Sequence, residues 1–259
     1  MGKKARLTAL LVTMTICGLA IVVFVASRIY WAVPLLSGEG QYDGHPTSYW
    51  IDCLQDHDKA MRRKAIGNLG SIGDEAKSAV PALSQILMQD DDEELRAKAA
   101  LALYKIGGKE TVPALIVGLD DDFAWVRLNC ALALAKAGSS AEGAVPALTA
   151  ALDKPENRPV NLAFSLSVRQ QSIQALGKIG PAAKDAVPPL IEALKDADVQ
   201  TRSRAATALG CIGVDAMSAV PMLVTMLKDK DEMIKDLAAQ ALVKISPADA
   251  AKAGVKLND

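Results

Sequence analysis

Residues 202–213 read RSRAATALGCIG, and the chain continues to Ala219-Val220-Pro221-Met222-Leu223. The second of these landmarks, a Val-Pro pair, recurs at Val80-Pro81, Val112-Pro113, Val145-Pro146, Val187-Pro188 and Val220-Pro221. Successive pairs are 32, 33, 42 and 33 residues apart. A nearly constant period of this length is typical of repeat architectures, in which neighbouring copies cover one another's apolar faces.

A basic residue marks the second half of each copy, at Arg62, Arg96, Arg127, Arg169, Arg202 and Lys235. Apolar or small residues at −1, +3, +4, +7 and +10 from this landmark share one face of a helix. Position +11 is a glycine in five copies, where we expect a left-handed helix cap: Gly73, Gly107, Gly138, Gly180 and Gly213. Because proline suits the first turn, Val-Pro opens another helix. Each copy is therefore predicted to be a helical hairpin.

The pattern R-x-x-A-A-x-A-L-G-x-I-G followed by A-V-P-x-L resembles the HEAT-repeat family, in the short bacterial form also called PBS-lyase HEAT-like repeats. The resemblance covers about residues 46–246 in six copies. It implies an all-α fold, an α-solenoid with first helices on the convex side and second helices on the concave side. Tyr42-x-Gly44 before Tyr49-Trp50 is similar to the start of the first repeat in membrane-anchored bacterial members.

The resemblance also implies that aspartate and arginine side chains link successive hairpins. Aspartates lie six residues before the basic landmark in five copies: Asp56, Asp90, Asp121, Asp196 and Asp229. We transfer the linking role to these aspartates and to Arg62, Arg96, Arg127, Arg169 and Arg202.

An uncharged segment near the N-terminus predicts a transmembrane helix over residues 7–33. Lys3, Lys4 and Arg6 precede it and Arg28 alone follows the apolar run, so residues 1–6 are expected to be cytoplasmic. This topology places the repeats outside the cytoplasm of a bacterial cell, on a single-pass inner-membrane protein. The alternative is a signal peptide cleaved near residues 25–27, which would release a secreted protein.

Three further segments complete the predicted organisation. Residues 34–45 are rich in turn formers and are expected to be a linker. Residues 46–246 form the solenoid. Residues 247–259 form a C-terminal capping segment, which opens on a short helix with Ser246 as N-cap and Pro247 in the first turn.

Several classes of function are disfavoured by composition. The formal net charge is −1, and without the four basic residues of positions 1–36 it falls to −5, which does not favour phosphate backbones. Both histidines, His45 and His57, lie outside the predicted second helices, and no His-Glu pair of the kind that holds iron in deoxyhypusine hydroxylase occurs. No nucleophile or phosphate-loop motif is present. We therefore predict no catalytic, cofactor-binding or metal-binding residues and no nucleic-acid partner.

A row of basic residues on the second helices is the main candidate binding site. Lys105, Lys136, Lys178 and Lys244 lie nine residues past the landmark, and Lys64, Lys98 and Arg204 lie two past it. Both positions are off the buried stripe, so they could form a groove for an acidic protein segment. The alternative is that lysines in a last turn only stabilise the helix dipole.

Repeat four carries about nine extra residues between its two helices. Such insertions sometimes mark a binding surface, and Arg158, Asn161 and Phe164 are the candidates there. The alternative is a tolerated surface loop.

These observations predict a membrane-anchored, non-catalytic scaffold or adaptor that binds another protein. The sequence does not specify the partner or the oligomeric state. One alternative is an enzyme or enzyme accessory related to the PBS-lyase or deoxyhypusine-hydroxylase branches, and another is a spacer in the cell envelope.

Overall fold

The computed structural model describes residues 39–157 and 167–255. Within these ranges the fold is helical apart from one small hairpin, in which β1 (Gln41–Tyr42) pairs antiparallel with β2 (His45–Pro46). The predicted transmembrane segment and the insertion candidates Arg158, Asn161 and Phe164 lie outside the described residues.

The helices alternate in two sets along the chain. The first helices are α1 (Thr47–Cys53), α3 (Val80–Gln89), α5 (Val112–Gly118), α7 (Val145–Asp153), α9 (Val187–Ala193) and α11 (Val220–Met226). The second helices are α2 (Lys59–Ile72), α4 (Glu93–Ile106), α6 (Ala124–Ala137), α8 (Val168–Ile179), α10 (Val199–Ile212) and α12 (Glu232–Ile245). A last short helix, α13 (Pro247–Lys252), follows. The prediction of an all-α repeat solenoid is confirmed.

Short 3-10 segments connect each second helix to the next first helix. They span Gly73–Ala79, Lys109–Thr111, Gly138–Ala144, Gly180–Ala186 and Gly213–Ala219. In repeat four, a further 3-10 turn at Pro155–Asn157 follows the first helix. Proline occupies the first turn of each Val-Pro helix, as expected from its fixed φ and missing N–H.

Side-chain caps start four of the second helices. Asp58, Asp92, Asp198 and Asp231 each accept a backbone N–H of the first turn. Such a cap satisfies amide donors that have no partner within the helix and typically contributes about 1 kcal/mol. Helix α8 instead has a capping box between Ser167 and Gln170.

The second helices pack side by side at backbone contact distance. A Cβ atom on Gly70 of α2 would lie 3.2 Å from the Cα of Ala102 in α4, and one on Gly210 of α10 would lie 3.0 Å from the Cα of Ala241 in α12. The first helices of successive repeats touch one another less extensively. Closer spacing in the layer of second helices is the packing expected on the concave side of a curved stack.

The glycine that ends five of the six second helices differs from the predicted left-handed cap. At Gly213 the φ angle is 79°, as expected, but ψ is −141°, outside the left-handed helical region. Its N–H still bonds to the carbonyl of Leu209. This combination of angles is close to a region populated almost only by glycine, so the requirement for glycine is stricter than the predicted cap implied.

Part of the segment predicted as a linker is ordered against the first repeat. Asp43 and Gly44 both have positive φ, as a two-residue hairpin turn requires. The indole N–H of Trp50 donates to the carbonyl of Tyr42 at 3.0 Å, and the Thr47 hydroxyl donates to the carbonyl of Gly40 at 2.9 Å. The hairpin is therefore held on α1 by hydrogen bonds to buried side chains.

One helical stretch within the described residues is long and apolar enough to cross a membrane by length and composition. It is Val199–Met226, which has a mean hydropathy of 1.6 in its most apolar window. The stretch comprises α10, a kinked 3-10 segment and α11. Helix α10 packs between α8 and α12, so the stretch is part of the repeat stack.

Candidate functional site

An arginine–aspartate ladder runs along the loops that join the two helices of each repeat. Arg96 makes two hydrogen bonds to Asp121 of the next repeat, Nε to Oδ2 at 2.7 Å and Nη2 to Oδ1 at 3.0 Å. The hydrogen bonds that Arg96 donates to Asp121 raise the pKa of the Arg96 guanidinium. The remaining arginine–aspartate pairs are longer, at 3.5–3.9 Å: Arg62–Asp90, Arg169–Asp196 and Arg202–Asp229. The predicted linking role is confirmed for these four arginines.

The ladder changes at repeat four. Arg127 donates from Nε to Oδ1 of Asn157 at 2.9 Å, an amide in place of the carboxylate found at the other steps. The position six residues before Arg169 is occupied by Ala163, so repeat four is the copy without the aspartate of the other five. Arg127 therefore keeps the predicted linking role, but Asn157 of the 3-10 turn supplies the acceptor in place of an aspartate.

A second surface is formed by the helix faces that point away from the core. Positions −2, +2, +5 and +9 from the basic landmark lie within about 60° of one another around a helix of 3.6 residues per turn. These positions lie on the side of the helix opposite to the basic landmark residue. We call these four positions on the six second helices the second-helix face.

The second-helix face is basic although the chain as a whole is slightly acidic. Its twenty-four positions include seven basic side chains: Lys64, Lys98, Lys105, Lys136, Lys178, Arg204 and Lys244. The single acidic residue is Glu94, which pairs with Arg63 at 2.6 Å. All seven basic residues are the sequence-predicted candidates, and the fold places them on one layer of helices.

Two of the lysines on this face have structural contacts of their own. Lys64 forms an ion pair with Asp43 at 2.8 Å and lies 5.4 Å from the Trp50 ring centroid, so it fastens the N-terminal hairpin. The hydrogen bond from Lys64 lowers the pKa of Asp43. Lys136 donates to the carbonyls of Tyr104 and Lys105 at 2.8 and 3.1 Å, which neutralises the C-terminal end of α4.

The other lysines of the face are directed to solvent. Lys105, Lys178 and Lys244 are exposed and Lys98 is half-buried. Their ammonium groups make no ion pair with any residue of the described ranges. The stem of Lys105 lies against Gly70 of the preceding repeat. These ammonium groups are available to an incoming anion.

An apolar strip lies among the lysines on α4 and α6. Trp125 is 61% exposed and Leu101 is 39% exposed, and Leu132, at the same repeat position as Leu101, is half-buried. Large apolar side chains on a protein surface are informative when they cluster, because aromatic residues dominate many binding hot spots. The sequence analysis did not identify this strip, although the same register that located the lysines places these three residues on the face.

A pocket of about 300 Å³ opens on the second-helix face between α8 and α10. The candidates Lys178 and Arg204 both line it, together with Gln174 and Cys211. Arg204 Nη1 donates to Oε1 of Gln174 at 2.6 Å, whereas Arg204 Nε is buried without a hydrogen-bond partner. Burial lowers the pKa of Arg204, and the negative charge of Asp198 partly offsets this effect.

Potential metal-binding side chains are scattered in the described part of the chain. No group of three or more His, Cys, Asp or Glu side chains is arranged there to hold a metal ion. Cys130 is fully buried, and this burial strongly raises the pKa of its thiol. Cys211 is exposed and Cys53 is half-buried.

Solved structures with a similar fold include designed and natural repeat proteins. A designed armadillo repeat protein in complex with the peptide (KR)4 has a TM-score of 0.64 and 20% identity, covering 76% of this chain and 98% of that protein. The complex of CpcE and CpcF of phycocyanin lyase from Nostoc sp. PCC7120 has a TM-score of 0.55 and 28% identity, covering 81% of this chain and 80% of that one. An engineered protein has a TM-score of 0.58 and 22% identity, covering 80% and 97%.

No curated protein matches the sequence. The family model for HEAT repeats matches residues 80–167, 163–216 and 187–253, which together span more than half of the chain. The matched segments coincide with the stack of helical hairpins from α3 onward. The chain therefore belongs to the HEAT-repeat family.

Proposed function

We propose that this protein is a membrane-anchored scaffold whose second-helix face binds an acidic segment of another protein. The solenoid supplies the binding surface, and the apolar segment at residues 7–33 tethers it to a bacterial inner membrane with the repeats outside the cytoplasm. The protein performs no chemistry of its own in this proposal.

The distribution of charge on the second-helix face is the observation that carries the proposal. Seven basic residues and one acidic residue occupy its twenty-four positions, whereas the chain downstream of residue 36 has a net charge of −5. Charge of one sign that is concentrated on one face raises the rate of encounter with a partner of opposite charge. The apolar strip around Trp125 adds a site for an apolar side chain of the same partner segment.

The armadillo neighbour supports peptide binding by an architecture of this kind. That designed protein is in complex with (KR)4, a basic peptide. The second-helix face of the present chain carries positive charge, so a partner of the opposite sign, rich in Asp and Glu, is expected.

A direct test uses a fluorescein-labelled (DE)8 peptide and the full-length chain purified in mild detergent. Sixteen extended residues span about 50 Å, enough to cross the six second helices at 8–10 Å spacing. We expect fluorescence anisotropy to report binding that weakens as salt is raised. Labelled (KR)8 is expected not to bind.

A charge-reversal variant locates the binding surface. Lys98, Lys105 and Lys244 are changed together to Glu, while Lys136 is kept because it caps α4. The matched control changes three exposed lysines away from this face, Lys77, Lys184 and Lys228, so that both variants have the same net charge. Loss of (DE)8 binding only in the first variant supports the proposal. Equal effects, or no binding by the unaltered protein, would refute it.

The apolar strip is tested with two peptides that differ only in side-chain hydrophobicity, (DELE)4 and (DESE)4. We expect the leucine peptide to bind more tightly to the unaltered protein, because Trp125 and Leu101 can cover its side chains. Trp125→Ala should remove this difference while leaving the affinity for (DESE)4 unchanged. A preference for leucine that survives the substitution would rule out contact at this strip.

The proposed anchor and topology have their own test. Alkaline phosphatase and green fluorescent protein are each fused after residue 259 and expressed in a bacterium. An extracytoplasmic solenoid predicts active phosphatase and no fluorescence. An intact N-terminus in the mature protein distinguishes an anchor from a cleaved signal peptide.

A role beside a lyase is the second candidate function. The observation that favours it is the likeness to the CpcE–CpcF complex of phycocyanin lyase at 28% identity. It predicts that the purified protein carries or binds a bilin-type chromophore. A visible absorption band that copurifies with the chain, or appears when a bilin is added, would favour this candidate over the scaffold.

A further inference from the structure

The pocket between α8 and α10 brings two cationic side chains together without a carboxylate in its lining. Six polar or ionisable side chains line it: Gln174, Lys178, Ser203, Arg204, Thr207 and Cys211. Two of them are cationic and none is a carboxylate. The remaining lining residues, Gly177 and Ala208, are small and lie where the two helices come into backbone contact.

The Arg204 guanidinium has N–H donors that are not used in the hydrogen bond to Gln174. This group has five N–H donors, of which one makes the hydrogen bond to Gln174. The nearby carboxylate of Asp198 is already engaged, because it accepts from Thr201 Oγ1 at 2.6 Å and from Gln170 Nε2 at 2.7 Å. Since Arg204 Nε is buried without a partner, the arginine is incompletely satisfied.

We propose that this pocket binds a side-chain carboxylate of the acidic partner segment, held by Arg204 and Lys178. The proposal rests on the proposed function and assigns one subsite within it. A planar guanidinium suits a carboxylate because its parallel N–H groups can meet both oxygens, and the ammonium of Lys178 adds charge from the neighbouring helix. An uncharged amide of the same shape would bind this pocket more weakly, because it lacks the negative charge that attracts Arg204 and Lys178.

Cys211 provides a natural reporter inside the pocket. It is exposed and lies seven residues after Arg204 on α10, about two turns along the same helix face. It occupies the same repeat position on α10 that Lys178 occupies on α8. A carboxylate held between these side chains must therefore restrict access to the Cys211 thiol.

The first experiment compares iodoacetate with iodoacetamide on the full-length chain, with modification at each cysteine followed by peptide mass mapping. In both reactions the thiolate attacks the CH₂ carbon, an S–C bond forms and iodide leaves, so only the carboxylate or amide differs. We expect the iodoacetate-to-iodoacetamide rate ratio to be about fivefold higher at Cys211 than at Cys53. Arg204→Gln and Lys178→Gln should each lower the ratio at Cys211. Equal ratios at the two cysteines would overturn the proposal.

The second experiment uses N-acetylated and C-amidated (DE)8, which has side-chain carboxylates only. It should slow iodoacetamide labelling of Cys211 at saturation, and Arg204→Gln should weaken its binding about 10- to 100-fold. Arg63→Gln is the matched control, since Arg63 is an exposed arginine whose partner among the described residues is Glu94. Lys178→Gln provides an independent variant at an exposed position if Arg204→Gln does not fold.

The outcomes separate this proposal from the proposed function. The subsite is refuted, while the scaffold function stands, if (DE)8 binds without slowing the labelling of Cys211 and if its affinity is the same in Arg204→Gln and Lys178→Gln as in the unaltered protein. If (DE)8 does not bind at all, the scaffold function is refuted. Protection by succinate but not by (DE)8 would identify a site for a small free anion and would overturn the assignment to a protein carboxylate.

Discussion

The Cα atom of Ala208 lies 2.9 Å from the position that a Cβ atom on Gly177 would occupy. Gly177 is eight residues past the landmark of repeat four, and Ala208 is six past the landmark of repeat five. The same two positions meet at Gly70 with Ala102 and at Gly210 with Ala241. The glycine and alanine of the repeat pattern thus set how closely the second helices approach.

Two glycine substitutions should therefore change the free energy of unfolding in opposite directions. Gly177→Ala places a methyl group against the backbone of α10 and is expected to destabilise the protein by about 1–3 kcal/mol. Gly67→Ala, in an exposed part of α2 with no atom within 4 Å, should stabilise it by about 0.5–1 kcal/mol through helix propensity. Urea denaturation followed by circular dichroism measures both. A stabilising Gly177→Ala would contradict the close approach.

The bidentate pair of Arg96 and Asp121 should couple two repeats energetically. Their side chains are 18% and 10% exposed, so water screens them less than a surface pair. A double-mutant cycle with Arg96→Ala and Asp121→Ala is expected to give a coupling of about 1–2 kcal/mol. The same cycle on Arg202 and Asp229, which are 3.9 Å apart, is the control and should give less. Equal couplings would show that ladder geometry does not matter.

Asp198 should make stability depend on pH in the acid range. Burial alone would raise its pKa, but hydrogen bonds from Thr201 and Gln170 outweigh burial and hold the pKa below the ordinary 3.8. A carboxyl with a lowered folded-state pKa contributes its stability above that ordinary value and loses it as the pH falls below about 4. Asp198→Asn should lower the free energy of unfolding by about 1–2 kcal/mol at pH 7. This difference from the unaltered protein should shrink toward pH 3.

The control for this titration is Asp231→Asn at the start of α12. Asp231 also accepts a backbone N–H, but it receives no side-chain hydrogen bond from a neighbouring repeat within the described residues. Asparagine caps a helix about as well as aspartate, so Asp231→Asn should lower the free energy of unfolding by only a few tenths of a kcal/mol. A deficit of the Asp198 variant that is constant from pH 7 to pH 3 would exclude a role for its ionisation.

Leu134 tests the assignment of the core face. Its side chain is fully buried on α6. Leu134→Ala should cost about 2–5 kcal/mol, and Leu134→Asp should unfold the domain because a buried charge has no partner. Leu101→Ala on the second-helix face is the control and should change stability by less than about 0.5 kcal/mol. Retained helicity and melting temperature in Leu134→Asp would contradict the assigned core.

The hairpin repeat could be predicted from the sequence because two landmarks share one period. The Val-Pro pair and the basic residue each identify one helix, and the structure places helices α3 to α12 accordingly. The buried faces also follow from helical periodicity, as at Cys130 and Leu134. The ladder partners of four arginines were predictable because each aspartate keeps the same register.

Other features depend on contacts that periodicity does not encode. Asn157 replaces an aspartate because the insertion moves the acceptor out of register, and only the fold reveals which residue takes its place. The hairpin at residues 41–46 has a local signal, Asp43-Gly44, but two-residue strands are too short to show alternation. The pocket at Arg204 arises between helices about thirty residues apart in sequence, so no local pattern marks it.

A stack of like units has no intrinsic length, because the face that each unit offers can receive another. After α12, Ser246 stands in place of the usual glycine, and the short helix α13 packs on α12 and buries Ala250. At the other end, the hairpin fastened by Trp50 and Lys64 occupies the first unit. These two elements lie against the first and the last described hairpins, so deletion of either is expected to expose apolar surface and to favour end-to-end association of copies before it abolishes folding.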